Sequence, residues 1–403
     1  MFSDLLVLEL ASVLAGPSVG QFFAELGATV IKVENPQTGG DVTRRWHAPD
    51  SETGNRGSPR DDRSAYFCCC NAGKMSVALD LSTKGGRKVL HALVPHADIA
   101  LTNFRPGAAP RLGVDAPTLR RLNTSLIVGT ITGYGEDDDR AGYDAVIQAE
   151  SGFTYMNGEP DGDPVKLPVA LMDVLAAHQL KEGLLVKLIE RMQTGSGGVV
   201  SVSLLQSAVS GLANQATNYL VAGHVPERMG SAHPNIAPYG TLYPTADGHR
   251  IVLAVGTDRQ FRSLCDVFGL DDLPNDSDYS TNARRVANRD ALDWILRSCT
   301  EQIHTEVLLS ALDEANVPAG RVRAMPQVFE QAPADAMVLH PSTDAHPPGL
   351  RQTAFPQPDD AAPVSAPPHY AEHTRSVLYD YLGLSQNDLG ILESDGAIST
   401  RGN

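Results

Sequence analysis

The chain has 403 residues, with 32 Lys plus Arg against 48 Asp plus Glu, a formal charge of −16. At about 150 residues per domain, this length implies two or three domains, and 42% apolar with 20% charged residues describes a globular chain with a sizeable core. The acidic balance argues against a nucleic-acid binder, which needs a basic stripe for the phosphate backbone, but leaves room for a small anion held by a few well-placed arginines. The acidity is skewed, with 32 Asp to 16 Glu and 7 Lys to 25 Arg. Such a surface suits high salt, and it equally suits a mildly acidic cytosolic protein from a GC-rich genome.

The cysteines are Cys68, Cys69, Cys70, Cys265 and Cys299. Their odd number and the absence of CxxC spacing argue against a disulfide framework or a structural zinc site, and the run 68–70 after Tyr66-Phe67 predicts a short buried strand. The start, MFSDLLVLEL, has no basic region and no small-residue cleavage site. No apolar run reaches the ~20 residues that span a bilayer. The expectation is a soluble, cytoplasmic protein.

In chain order, an apolar strand at 5–10 is followed by a break at Gly16-Pro17, a helix at 18–26, Gly27, and a β-branched strand at 29–33. The unit repeats as a strand at 76–81, a helix at 84–94 and a strand at 99–102, then as a helix at 116–122 and a strand at 126–132. Repeated βαβ units predict a parallel sheet with helices on both faces, an α/β, Rossmann-like layout. No GxGxxG follows any of these strands; the Gly-rich stretch 195–198 follows a helix and precedes a strand, the wrong order for a dinucleotide loop. Helices are expected at 175–192 and 204–220, a linker from Gly223 to Pro238, a hairpin at 240–255 turning at Asp247-Gly248, and further helices to 316. The Pro- and Asp-rich stretch 341–368 reads as a connection with little regular structure, before a closing helix at 373–382.

Four local features could carry chemistry. Asp173 ends an apolar run and opens a helix. It is either an N-cap or a nucleophilic carboxylate that helix amides and the dipole keep ionised. Gly39 to Trp46 places Arg44 and Arg45 beside flexible glycines, as a phosphate site or as a solvated turn. Asn103-Phe104-Arg105-Pro106-Gly107, with Arg111 one turn on, follows a strand end, where open α/β sheets bind ligands. Gly142-Tyr143-Asp144 is a turn rich in polar handles.

Together these segments resemble the family III CoA-transferases. The resemblance runs the length of the chain: Leu14-Ala15-Gly16-Pro17, Ile31-Lys32-Val33-Glu34, Gly40-Asp41, Asn71 through Lys74, Asn103 through Gly107, Arg111-Leu112-Gly113, Gly142-Tyr143-Asp144, His233-Pro234-Asn235, Val317-Pro318-Ala319-Gly320 and Glu372-His373-Thr374. It implies that CoA moves from an acyl-CoA donor, succinyl-CoA being one candidate, to a carboxylic acid through covalent intermediates on Asp173. It also implies CoA phosphate contacts from Arg44, Arg105 and Arg111, a CoA-contacting segment at Lys74-Met75, Asn103 and Phe104 beside the nucleotide, and Tyr143 near the pantetheine or acyl group. No metal or permanently bound cofactor is implied. The implied fold has a large Rossmann-like CoA-binding domain starting at 1–224, a smaller α+β domain at 225–328 and a return segment at 329–403 completing the large domain, two chains interlocking as a homodimer. Asn35 stands where relatives often carry a basic residue, and a formyl-type glycine-rich lid is absent from the small domain. His233 is a ligand for an acceptor carboxylate or a structural hydrogen-bond partner. Two alternatives remain: an α-methylacyl-CoA racemase, for which Tyr143 would be a poor base, and a non-catalytic CoA-binding protein.

Overall fold

The computed structural model describes residues 1–48, 61–340, 347–355 and 363–401. The chain divides into two compact units. The first comprises Met1–Ser151, Pro168–Leu212 and Ala332–Asn403, and the second Gly152–Leu167 and Ala213–Gln331.

The first unit is built on a seven-stranded sheet. Its strands are β1 (Leu6–Leu10), β2 (Thr29–Glu34), β3 (Lys74–Leu79), β4 (Ile99–Thr102), β5 (Ile127–Thr132) and β6 (Gly198–Ser203), with β12 (Ile398–Ser399) returning from the far end of the chain. Helices α1 (Ala15–Glu25), α2 (Ala65–Cys68), α3 (Lys84–Leu93), α4 (Ala109–Leu112), α5 (Ala116–Leu122), α6 (Asp144–Glu150), α8 (Leu171–Thr194) and α9 (Leu204–Gly211) connect or follow them, whereas α7 (Phe153–Met156) and α10 (Asn214–Ala222) belong to the second unit. The strand order is β12-β3-β2-β1-β4-β5-β6, parallel throughout except for β12 against β3. The fold is thus mixed α/β with a mostly parallel central sheet. The chain builds outward from β1 to β3 and then restarts beside β1 with β4. Between the carboxyl ends of β1 and β4 the direction reverses, and diverging loops open a crevice there.

Alternation along β1 separates the two faces. Leu6, Leu8 and Leu10 join Val89, Leu90, Leu93, Leu119 and Val377 in one buried cluster. Glu9 turns the other way, wholly buried, toward α1. A buried carboxylate needs partners. Its strand neighbour Lys32 supplies one at 2.9 Å, and Lys74 on β3 another at 2.7 Å. Lys32 also meets Asp41 at 2.9 Å. Beside them Arg44 grips Glu34 with Nε and Nη2, at 2.7 and 2.6 Å. Three carboxylates therefore face three cations, all buried. Helix α1 can lie on this network only because residue 20 is glycine; a Cβ there would sit 1.7 Å from a Glu9 oxygen.

Several expectations change in the structure. Residues 66–70 are not a strand. The Ser64 hydroxyl accepts the Phe67 N–H at 3.1 Å and starts the helical turn α2, although Phe67, Cys68 and Cys70 are buried. The single helix expected at 204–220 is broken between α9 and α10, where Ala213 takes a φ of 48° and the chain passes from the first unit to the second. The large-domain span 1–224 is interrupted likewise, since 152–167 and 213–224 fall in the second unit. Arg228 holds the former there by donating to the Gly162 and Tyr155 carbonyls at 3.0 and 3.2 Å.

The second unit carries a three-stranded antiparallel sheet of β7 (Tyr239–Pro244), β8 (Arg250–Ala254) and β9 (Ala319–Arg321). Helices pack Phe261, Leu264, Leu292, Leu296 and Leu308 against it. In the return segment, the two-residue strands β10 (Val338–Leu339) and β11 (Gly349–Leu350) pair, Ala371 N–H donates to Ser76 Oγ at 2.9 Å and Ala78 N–H to Thr374 Oγ1 at 3.0 Å. Among the described residues, no helix is long and apolar enough to cross a membrane.

Removing one charge from the network leaves its partner buried and unpaired. Lys74→Met is expected to cost ~3–5 kcal/mol in urea unfolding, and a loss below ~1 kcal/mol would mean that Glu9 is compensated otherwise.

Candidate active site

At the reversal point lies a cavity of about 450 Å³. Its walls come from the loop after β1 (Ser12, Val13), the loop after β4 (Asn103 to Pro106), the turn after β5 (Gly142 to Asp144) and the start of α8, which contributes Asp173. Each wall has a local cause. Asn103 pairs with the Ser12 backbone, Oδ1 accepting its N–H at 3.1 Å and Nδ2 donating to its carbonyl at 2.7 Å, so the two loops are stitched across the crevice. Val13 has a φ of 73°, strained for a β-branched residue, and its N–H points at both Asp41 oxygens, 3.3 and 3.4 Å away. The buried network thereby reaches the cavity wall. The turn after β5 doubles back because Gly133 and Gly142 touch: a Cβ on Gly142 would lie 2.3 Å from the Gly133 Cα.

Asp173 is the third residue of α8, not its cap. Asp144 does the capping, accepting the Met172 N–H at 3.0 Å while its other oxygen takes Gln148 Nε2 at 2.7 Å. Asp173 is half-buried with no hydrogen-bond partner among the described residues. Burial, and then the Asp144 carboxylate, push its carboxyl up to about 7. The environment thus opposes the ionised form, contrary to the expectation that helix amides keep it charged. The sequence marked Asp144 only as a polar handle of its turn and gave Tyr66 no site role. Burial, and then Asp173, raise the Tyr66 phenol.

The other expected residues divide. Asn103, Phe104, Arg105 and Tyr143 line the Asp173 cavity, the last two exposed. Phe104 also lines a second cavity of about 480 Å³ beside Asn35, Gln37 and Arg45, and a third of about 240 Å³ beside Asp80 and Ser82. Arg111 is exposed on α4, outside the lining of these cavities. Arg44 is not free for a phosphate. Besides gripping Glu34 it donates to the Asp62 and Pro368 carbonyls at 3.1 and 3.2 Å, and it lies 3.8 Å over the Phe67 ring. Burial alone would raise the Glu34 carboxyl, but Arg44 and Lys32 hold it below its ordinary value. Lys74 is likewise enclosed by Glu9, Pro17 and Asn71, and Met75 packs against the core. His233 in the second unit spends Nδ1 on the Asn235 N–H at 3.1 Å and meets Tyr239 edge-on, a structural role. A set of donors the sequence did not suggest, Asp61, Asp62 and His369, clusters within 4.8 Å, but Arg63, Tyr370 N–H and His369 itself already occupy the two carboxylates.

Comparison with known proteins gives this geometry its context. The profile of CoA-transferase family III matches residues 2–374. The chain belongs to CoA-transferase family III. It is 38% identical to a succinate–glutarate CoA-transferase from Agrobacterium fabrum, over 93% of this chain and 94% of that one. It is 32% identical to a succinyl-CoA–D-citramalate CoA-transferase from Chloroflexus aurantiacus, over 98% and 97%. A crystal structure of a CaiB/BaiF family protein from Brucella suis superposes with a TM-score of 0.79 at 39% identity, covering 94% of this chain and 98% of that one. This CoA-transferase therefore moves CoA from an acyl-CoA to a carboxylic acid.

A raised carboxyl makes two pH effects separable. The native state holds the Asp173 proton up to about pH 7, whereas the unfolded chain releases it near 4. Stability from this group is thus present at low pH and lost as pH rises through 7. Asp173→Asn should raise stability by on the order of 1–2 kcal/mol at pH 8 and by little at pH 4, read from paired unfolding curves. If the carboxylate is the reactive form, kcat/KM should climb with an apparent pKa near 7, and Asp144→Asn should move that limb to lower pH.

Proposed function

We propose that the Asp173 carboxylate is the nucleophile of a ping-pong CoA transfer from a succinyl-CoA-type donor to a dicarboxylic acid. The observation that carries this reading is a half-buried carboxylate with no hydrogen bond among the described residues, facing a cavity at the sheet's reversal point. Such a carboxylate is poorly solvated and correspondingly reactive. One oxygen attacks the thioester carbonyl carbon, the C–S bond breaks, and CoA leaves as a thiolate with the bonding pair. The product is a mixed anhydride on Asp173. The thiolate then attacks the Asp173 carbonyl and expels the donor acid, leaving an aspartyl-CoA thioester. The acceptor carboxylate repeats the sequence in reverse and departs as the new thioester, restoring Asp173. No proton is consumed at any step. Exclusion of water protects the anhydride.

The CoA chain would run from Asp173 past Tyr143 and the Phe104 ring into the neighbouring cavity, with Arg45, Arg105 and Arg111 meeting its phosphates. Arg44, Lys74 and Met75 would act beneath the site as its support. The donor and acceptor classes follow the named substrates of the relatives. The Rossmann-like description of the large unit and an interlocked homodimer belong to the same reading, supported by a return segment that rejoins the first unit after the second.

Asp173→Ala should abolish CoA exchange between succinyl-CoA and glutarate while leaving CoA affinity within about twofold; unchanged turnover would refute the assignment. Arg45→Gln should raise KM for the acyl-CoA about tenfold with kcat nearly kept, as loss of one charged contact does, whereas Arg44→Gln should show itself as lost stability. Loss of α-deuterium from a 2-methylacyl-CoA in the absence of an acceptor acid would instead identify a racemase.

A further inference from the structure

The second unit has a cavity of its own, of about 540 Å³, within the ~300–1,000 Å³ range of small-molecule sites. Arg228, Arg250, Arg289 and Arg297 all reach its wall. They come from the segment after α10, from β8 and from the helix Arg289–Thr300. Several buried or partly buried arginines of this chain are met by carboxylates, as Arg44, Arg191, Arg285 and Arg321 are. None of the four around this cavity makes an ion pair among the described residues.

Their donors are only partly used. Arg289 gives Nη2 to the His233 carbonyl at 2.6 Å, while its Nη1 is buried with no partner among the described residues. A buried guanidinium N–H with no acceptor carries an uncompensated desolvation cost. Arg228 is fixed by its two carbonyl bonds. Carboxylates in the wall do not fill the gap. Asp293 accepts from the Tyr243 hydroxyl and, at 3.3 Å, from Thr241, and neither Asp290 nor Glu159 forms an ion pair among the described residues. The guanidinium groups also outnumber these acids.

We propose that this cavity binds a multiply charged oxyanion, with Arg289 Nη1 as the inner donor and Arg250 and Arg297 as an outer clamp. Planar guanidinium forks match the paired oxygens of a carboxylate or phosphate. Both chemistries occur among the substrates of a CoA-transferase, in the carboxylic acids and in the CoA phosphates. The site stands on the second unit's own residues and does not depend on the role of Asp173.

The test is site-resolved arginine modification of the full-length protein. Phenylglyoxal labelling followed by peptide mass mapping is run without ligand, with glutarate, and with inorganic pyrophosphate, in wild-type, Asp173→Ala and Arg289→Gln proteins. Arg250 and Arg297 should react readily without ligand. A bound anion should slow them about tenfold, as expected for a charge-assisted contact of ordinary strength, equally in Asp173→Ala and much less in Arg289→Gln. Protection by glutarate alone assigns a carboxylate ligand, and protection by pyrophosphate alone a phosphate. The proposal is overturned if neither anion protects, if protection persists in an Arg289→Gln protein that unfolds like wild type, or if Arg250 and Arg297 are unreactive from the start because another surface covers them.

Discussion

The bridge that Lys32 makes between Glu9 and Asp41 is the constraint on which the rest of the site depends. Burial alone would strip Lys32 of its proton, but the carboxylates of Asp41, Glu9 and Glu34 around it drive its ammonium the other way, well above the ordinary lysine value. Through Glu9 it connects to Lys74 and so to β3; through Asp41 it connects to the N–H of Val13. One ammonium thus couples the sheet to the loop that walls the Asp173 cavity. Such a network is self-neutralising, and its value lies in geometry more than in net stability. It holds a β-branched residue in a backbone conformation that it would otherwise leave.

Asp173 sits in the opposite electrostatic situation. No cation pairs with it among the described residues, and its close neighbour Asp144 is also a carboxylate. Because Asp144 caps α8, the residue that starts the helix also penalises the charge on Asp173. The fold thereby keeps a carboxylate poorly stabilised at the place where three loops converge. The net charge of −16 plays no part in this. CoA and carboxylic acids are anions, and in the proposed reading exposed arginines such as Arg45, Arg105 and Arg111 would meet them within an acidic shell.

Much of this was legible in the sequence. Apolar runs with helical intervals marked β1 through β5, and the restart of the pattern after β3 implied a parallel sheet. Asp173 stood out as a carboxylate at the start of a helix, and Asn103-Phe104-Arg105 as a loop at a strand end. Arg44, expected at a phosphate because it stands beside glycines, and Lys74, expected at CoA through the family resemblance, are both held by buried carboxylates. Their partners lie elsewhere in the chain, Glu34 on β2 and Glu9 on β1, and only strand register brings them together. A trace was present: LVLEL, TVIKVE and KMSVAL each carry charge inside an apolar strand, and charges in buried strands must find opposite charges next door. The capping role of Asp144 was hidden for the same reason, being a contact across 28 residues of chain.

The central claim is that the acyl group and then CoA are carried on Asp173. The most direct measurement is mass spectrometry of peptides from protein quenched during turnover with succinyl-CoA. The account predicts a CoA thioester on the peptide containing Asp173, discharged when glutarate is added and missing in Asp173→Ala. A CoA adduct on another residue, or full exchange by a protein that never carries one, would contradict it.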